Sequence, residues 1–161
     1  IGSFNRYGGD ISKVHIVVGP QTGATILAML ISDEIKARNL RRCCSASPAK
    51  IGEGDTKSMI FSDEDLALLP GKSILLCEDV LTTGGSIDLT ETAVINAGGT
   101  VLPFILVLVN RSSLSKVRGK EIISLIDREM PMWTPEECPL CKQGSEAVRP
   151  KDNWALLNAT Y

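Results

Sequence analysis

The stretch from Ile74 to Ser86, reading ILLCEDVLTTGGS, constrains the fold more than any other part of this chain. Ser73 to Cys77 reads as a short buried strand, and two adjacent acids, Glu78 and Asp79, follow it. Next come Val80 and Leu81, and then a turn of small and hydroxyl residues, Thr82, Thr83, Gly84, Gly85 and Ser86. A helix is expected from Ile87 to Ala97, closed by Gly98 and Gly99. An apolar strand that opens through a glycine turn into a helix is the repeating unit of a parallel sheet covered by helices.

The rest of the chain repeats this unit. Val14 to Val18 reads as a strand ending at Gly19-Pro20, and Ala24 to Ala37 reads as a helix. On that helix Ile26, Leu27, Leu30 and Ile31 are expected on the inner side, with Asp33, Glu34 and Lys36 outside. Cys43 to Ser47 reads as a second, more polar strand. Ala49 to Phe61, with Gly52 and Gly54 and little periodicity, reads as a long mobile loop or an irregular hairpin. Val101 to Val109 is apolar without alternation, as expected of a strand with helices over both faces, and Glu121 to Ile126 is a further strand. The fold class is therefore α/β, a doubly wound and mostly parallel sheet flanked by helices, with ligands beyond the carboxyl ends of the strands. With 161 residues the chain is expected to form one domain, 1–161, with a polar, proline-containing tail over 130–161 packed through Trp133 and Trp154.

Composition excludes several classes of function. The net charge is −2, and the densest basic cluster, Lys36, Arg38, Arg41 and Arg42, suits a solvated helix end, so a polynucleotide partner is not expected. No run of eighteen apolar residues occurs, which argues against a membrane span. Five cysteines without a secretory signal point to free thiols in a reducing, cytoplasmic setting. With aromatics at 4%, the core must be aliphatic.

The acids and the turn carry the chemistry. Burying two unpaired carboxylates is expensive, so Glu78 and Asp79 are expected at the strand's accessible end. There they can accept hydrogen bonds from vicinal ribose hydroxyls or hold a divalent cation through its waters. Gly84 and Gly85 let backbone N–H groups gather around one anion. The hydroxyls of Thr82, Thr83 and Ser86 and the start of the next helix complete a phosphate site. A plain strand-to-helix junction with Ser86 as the N-cap is the competing account. No GxxxxGK[ST] pattern is present, and no GxGxxG follows a strand, which leaves triphosphate and dinucleotide sites without support.

This string resembles the signature of type I phosphoribosyltransferases, enzymes that use phosphoribosyl pyrophosphate. The resemblance implies that Glu78 and Asp79 engage the ribose hydroxyls, and that Val80 to Ser86 grip the 5-phosphate. Val17 to Ala24 resembles the family's pyrophosphate loop, which makes Gln21, Thr22 and Gly23 the pyrophosphate candidates. It further implies Mg2+, held mainly by substrate and water near Glu78 and Asp79, and closure of a mobile loop that would bring Lys50 and Lys57 to the pyrophosphate. Asp79 could also move a proton on the base. The segment Cys138-Pro139-Leu140-Cys141 is similar to a CPLC-x-x-G element of some orotate phosphoribosyltransferases, so orotate is the leading base. Cys138 and Cys141 also have the spacing of a structural metal knuckle.

Two departures from the orotate pattern stand out. Only thirteen residues precede Val14, so the N-terminal hood is short or missing, with Ser3 to Tyr7 as a candidate remnant. Ser45 to Pro48 is neutral, which leaves few cations beside the loop. A purine or another base, or a non-catalytic domain that senses phosphoribosyl pyrophosphate or nucleotides, therefore remains open. The resemblance also implies a homodimer. His15 is expected in a structural role, and Asp88 at the start of a helix, where its charge suits the dipole.

Overall fold

Short apolar strands dominate the order of elements in the computed structural model, which describes residues 2–39, 42–146, 148 and 152–159; Arg41 of the basic cluster lies outside these. Two compact units divide the chain, Ile1–Glu129 and Met130–Tyr161. The first opens with helix α1 (Gly2–Arg6), strand β1 (Ile16–Val18), helix α2 (Gly23–Asn39) and strand β2 (Cys44–Ala46). A hairpin of β3 (Ala49–Ile51) and β4 (Ser58–Ile60) follows, then α3 (Asp63–Leu68), β5 (Ser73–Leu81) and α4 (Gly85–Asn96). The unit closes with β6 (Thr100–Asn110), β7 (Lys116–Val117) and β8 (Lys120–Asp127).

Six strands form one sheet in the order β2-β1-β5-β6-β8-β7, parallel throughout except for β7, which runs antiparallel to β8. The expected α/β class and mostly parallel sheet are what the chain adopts. Alternation along β5 splits its side chains between two cores. Ile74 and Leu76 pack with Ile87 and Val94 of α4, whereas Leu75 and Cys77 pack with Ala24, Ala28 and Ile35 of α2 and with Phe4. Both cores are mainly aliphatic, and each fully buried Leu or Ile contributes roughly 1.5–3 kcal/mol. Phe4 of α1 is buried and meets Phe104 edge-on at a ring separation of 5.3 Å, so the N-terminal segment is tied to the sheet.

Several expectations need correction. On α2, Leu27 and Ile31 do face the core, but Ile26 and Leu30 are 64% and 58% exposed. The packed stripe runs through Ala24, Leu27, Ala28, Ile31 and Ile35, at spacings of three and four, and the alanines in it give a weak apolar signal. Ala49 to Phe61 takes the second of its two expected forms, an antiparallel hairpin with Lys50 opposite Met59. Helix α3 and the two-residue β7 were not expected, since six and two residues are too few to show a period. Ser62 caps α3, accepting from Asp65 N–H at 3.2 Å.

Pro103 lies inside β6, where it cannot donate to a neighbour. The pairing with β5 slips there, from Ile74 opposite Val101 to Leu76 opposite Ile105, and this irregularity accommodates the proline. His15 has the structural role expected of it: its Nδ1 accepts from Ser73 N–H at 3.0 Å and so links the start of β1 to the start of β5.

The hairpin of β7 and β8 is clamped to α4 by charge. Glu91, 7% exposed, pairs with Lys120, and Arg118 bonds Asp88 at 3.2 Å while lying 3.7 Å from Glu91. In the second unit a 3-10 turn (Cys141–Gln143) precedes helix α5 (Trp154–Asn158). Trp133 and Trp154 are 50% and 69% exposed, so they are not the buried anchors expected of them.

Candidate active site

Strand β5 runs on through Leu81, so the acid pair and Val80 lie within the strand and not beyond its end. This corrects the expected end at Cys77, and its cause is pairing with β6, where Glu78 sits opposite Val107 and Leu81 opposite Asn110. The two acids therefore have different surroundings. Glu78 continues the row of Ile74 and Leu76 and is buried, contrary to the accessible position expected for it. Burial, followed by the neighbouring Asp79 carboxylate, pushes its pKa up to about 8, against a pull downward from the charge of Lys50. Asp79 continues the opposite row and is half-buried; one of its oxygens, Oδ1, accepts from Val80 N–H at 2.9 Å.

The other carboxylate oxygen of Asp79 lies against Gly23, the first residue of α2. A Cβ built on Gly23 would lie 2.0 Å from Asp79 Oδ2, so only glycine permits this approach. The acid pair and the expected pyrophosphate loop are thereby brought together. That loop is braced across to the strand beside it. Gly19 N–H donates to Ala46 O at 3.2 Å, Gln21 N–H to Pro48 O at 2.9 Å, and Gln21 Nε2 to Ser47 O at 2.9 Å. The Gln21–Thr22 peptide is cis.

After β5 the chain turns through Thr82 and Thr83 into Gly84, whose φ of 81° is left-handed and suits glycine. Gly84, not Ser86, is the N-cap of α4, and it caps without a side-chain bond. The first backbone N–H of the helix to find a carbonyl within it is that of Asp88, which donates to Gly84 O at 2.9 Å. Gly85 N–H has only a 3.5 Å contact to Thr83 Oγ1. The N–H groups of the first turn are therefore presented to an anion along with the positive end of the helix. Lys50 reaches this turn from β3, donating to Ser86 Oγ at 3.1 Å.

Lys57 is different. It stands at the turn end of the β3–β4 hairpin, exposed, and makes no hydrogen bond or ion pair among the described residues. Cys138 and Cys141 belong to the second unit, and no group of three or more metal-ligating His, Cys, Asp or Glu side chains occurs among the described residues.

Arg111, directly after β6, was absent from the expected site. Its backbone N–H donates to Leu81 O at 3.0 Å, at the root of the phosphate turn, and its guanidinium Nε is buried with no hydrogen-bond partner among the described residues. The signal was available: Asn110-Arg111-Ser112-Ser113 breaks sharply from an apolar strand, as Glu78-Asp79 does. A cleft of about 320 Å³ opens at the ends of β6 and β8, lined by Asn110, Asp127, Lys116, Glu121 and Tyr7.

The chain is similar to known proteins. The model of the phosphoribosyl transferase domain matches residues 3–135. An orotate phosphoribosyltransferase of Pelotomaculum thermopropionicum is 33% identical over 145 residues, 90% of this chain and 69% of that protein. One of Heliobacterium modesticaldum is 30% identical over 135 residues, 84% of this chain; the chain spans 64% of that relative's length. Among solved structures, orotate phosphoribosyltransferase from Aeropyrum pernix superposes with a TM-score of 0.55 at 22% identity, covering 78% of this chain and 67% of that one. Adenine phosphoribosyltransferase from Rhodothermus marinus gives 0.54 at 17%, covering 78% and 74%, so the fold is shared by relatives named for different bases. A chain that matches this family's model over residues 3–135, most of its length, belongs to the phosphoribosyltransferase family.

Proposed function

We propose that the chain transfers the phosphoribosyl group of phosphoribosyl pyrophosphate to a nucleobase, with orotate the best fit, releasing pyrophosphate. The observation that carries this reading is the convergence of Asp79, Gly23 and the free first turn of α4 at one edge of the sheet. The N–H groups of Gly85 and Ser86 and the hydroxyls of Thr82, Thr83 and Ser86 would bind the 5-phosphate. Glu78 and Asp79 would take the ribose hydroxyls, with Val80 and Leu81 supplying the strand that holds them. Gln21, Thr22 and Gly23 would meet the pyrophosphate, and Lys50, which bonds Ser86, would bring a cation to it.

In the reaction a ring nitrogen of the base forms a bond to C1 of the ribose as the bond from C1 to pyrophosphate breaks. The protein's part is alignment, charge and exclusion of water. Lys50 offsets charge on the departing group, and Asp79, the more accessible acid, is placed to accept a hydrogen bond or proton. The donor set fits Mg2+, which takes one or two carboxylates plus substrate phosphate oxygens. Glu78 and Asp79 would hold it, and when bound it supplies neutralisation of the leaving pyrophosphate.

Arg111 adds a cation at the root of the phosphate turn, and its Nε, which has no acceptor among the described residues, suits an anionic group of a substrate. Tyr7, an exposed aromatic residue that lines the cleft, would stack on a base. A homodimer belongs to the same reading, and Ile26, Met29 and Leu30, an exposed apolar stripe on α2, are the surface for it. No helix among the described residues is long and apolar enough to cross a membrane, and the cysteines are free thiols, which suits a cytoplasmic setting.

The test is pyrophosphate release from phosphoribosyl pyrophosphate with Mg2+, with orotate, uracil and the purine bases supplied separately. Release that depends on orotate, is lost in Asp79→Asn and is weakened for orotate in Arg111→Ala, supports the proposal. Release with a purine alone would replace the base. Tight binding of the sugar phosphate without turnover on any base would replace catalysis with sensing.

A further inference from the structure

Three features lie outside the proposed reaction: the buried Glu91–Lys120 clamp, an apolar groove of about 170 Å³ beside Phe4, and the thiol pair of the second unit. The clamp holds the fold, and nothing shows what would cover the groove. The thiol pair carries more.

Cys138 and Cys141 are held together by a compact turn. Cys138 N–H donates to Thr134 O at 2.9 Å, Lys142 N–H to Cys138 O at 3.1 Å, and Ser145 N–H to Leu140 O at 3.1 Å. Gly144, with φ of 88°, closes the turn. The helical turn closed by Lys142 N–H on Cys138 O places residues three apart, Cys138 and Cys141, as neighbours on one side of the turn. Both residues are partly accessible, unlike Cys43 and Cys77, which are buried. No third metal-ligating side chain joins the pair among the described residues.

We infer that Cys138 and Cys141 are a reactive dithiol, which exchanges with a small-molecule disulfide of the glutathione class and closes to an intramolecular disulfide. Hydrogen bonds assign the roles. The Cys141 N–H and thiol stabilise a thiolate on Cys138 and hold it below the ordinary thiol range, whereas the bond to Cys138 raises Cys141. Cys138 is the attacking thiol and Cys141 the resolving one. The Cys138 thiolate attacks one sulfur of the small disulfide and expels the other half as a thiolate. Cys141 then loses its proton to solvent and attacks the Cys138 sulfur, expelling the second half. The protein gives up two electrons and two protons, and the small disulfide becomes two thiols. Burial pushes Cys43 up to about 11 and raises Cys77 further, so neither competes.

The experiment equilibrates the full chain with mixtures of reduced and oxidised glutathione, quenches with acid, alkylates, and maps the peptides by mass. The peptide carrying both cysteines should lose two hydrogens and resist alkylation while exposed Cys44 is still alkylated. Cys141→Ser should trap glutathione on Cys138, and Cys138→Ser should trap it on Cys141 roughly tenfold more slowly. A pair that stays reduced across the range in which Cys44 takes up glutathione overturns the inference, as do equal trapping rates in the two variants. Zinc alone protecting both thiols from alkylation, with no disulfide at any poise, overturns it in favour of a metal knuckle.

Discussion

The turns from β1 to α2 and from β5 to α4 both follow a buried strand and open into a helix, yet they are held in different ways. The first is fixed by its own main chain. Gly19 and Gln21 give their N–H groups to carbonyls of Ala46 and Pro48, and Ala24 N–H goes to Pro20 O. Those three donors are committed before a ligand arrives, so an anion at this turn is left to the N–H groups of Thr22 and Gly23 and to side chains. The second turn keeps its first helical N–H groups free and is shaped from outside. A Cβ on Gly84 would lie 2.9 Å from Val117 Cγ2, so the β7–β8 hairpin presses directly on the N-cap. A turn braced by backbone tolerates loss of a side chain, whereas a turn braced by a neighbouring hairpin depends on whatever anchors that hairpin.

The anchor is the sharpest place to break the comparison. Lys120 and Glu91 are 13% and 7% exposed at their side chains, and removing Lys120 leaves the buried Glu91 carboxylate with only the longer 3.7 Å approach of Arg118. Lys120→Ala should lower the unfolding free energy by about 3–5 kcal/mol in a urea titration. The double variant Lys120→Met with Glu91→Leu should recover most of the loss, since a well-packed apolar pair replaces a buried ion pair at little cost. A loss below about 1 kcal/mol, the range of exposed pairs, would mean that the hairpin does not brace the second turn.

At the first turn the corresponding weak point is Gly23. The Cβ of Gly23→Ala cannot coexist with Asp79 Oδ2 where it stands, so the carboxylate must move by an ångström or more. Displacement of that size at a reacting centre costs on the order of 100-fold, and kcat/KM for pyrophosphate release should fall by about that factor. Near-normal turnover in this variant would show that Asp79 has no need of its place beside Gly23.

The order of strands and helices was readable because each unit pairs a continuous apolar run with a glycine turn, and the phosphate turn was readable because Thr82 to Ser86 are contiguous. What stayed hidden depended on partners distant in sequence. The burial of Glu78 follows from β6 extending the pairing to Leu81 and Asn110, and the exposure of Ile26 and Leu30 follows from α2 packing through alanines. Arg111 stands in a visible polar break after an apolar strand, but its place at the site follows only from Leu81 lying beside it. Lys50 and Lys57 look alike along the chain, and the hairpin register decides which one reaches Ser86.

A more gradual effect, spread over several pH units, comes from the unequal acids on β5. The native chain retains the Glu78 proton up to pH about 8, whereas an unfolded glutamate loses it near 4.5. Between those values the native state binds more protons, so stability falls as pH rises, by at most about 1.4 kcal/mol per pH unit, and levels off above the upper value. Urea midpoints of the ligand-free protein across this window should decline, and Glu78→Gln should flatten the decline. A wild-type stability that rises through the window would place a charged Glu78 in the native state and reverse the assignment of its surroundings.

The least effect is expected from Gln21→Ala, which removes a side-chain bond to Ser47 O but leaves the backbone bond from Gln21 N–H to Pro48 O in place. An exposed hydrogen bond of this kind contributes about 0.5–1 kcal/mol, so the urea midpoint should barely move. If the main chain fixes this turn, affinity for pyrophosphate, read by isothermal titration, should weaken by less than about tenfold, since 1.4 kcal/mol corresponds to that factor. A larger loss of affinity with unchanged stability would mean that the Gln21 amide leaves Ser47 to bind the ligand, and the first turn would then be held as conditionally as the second.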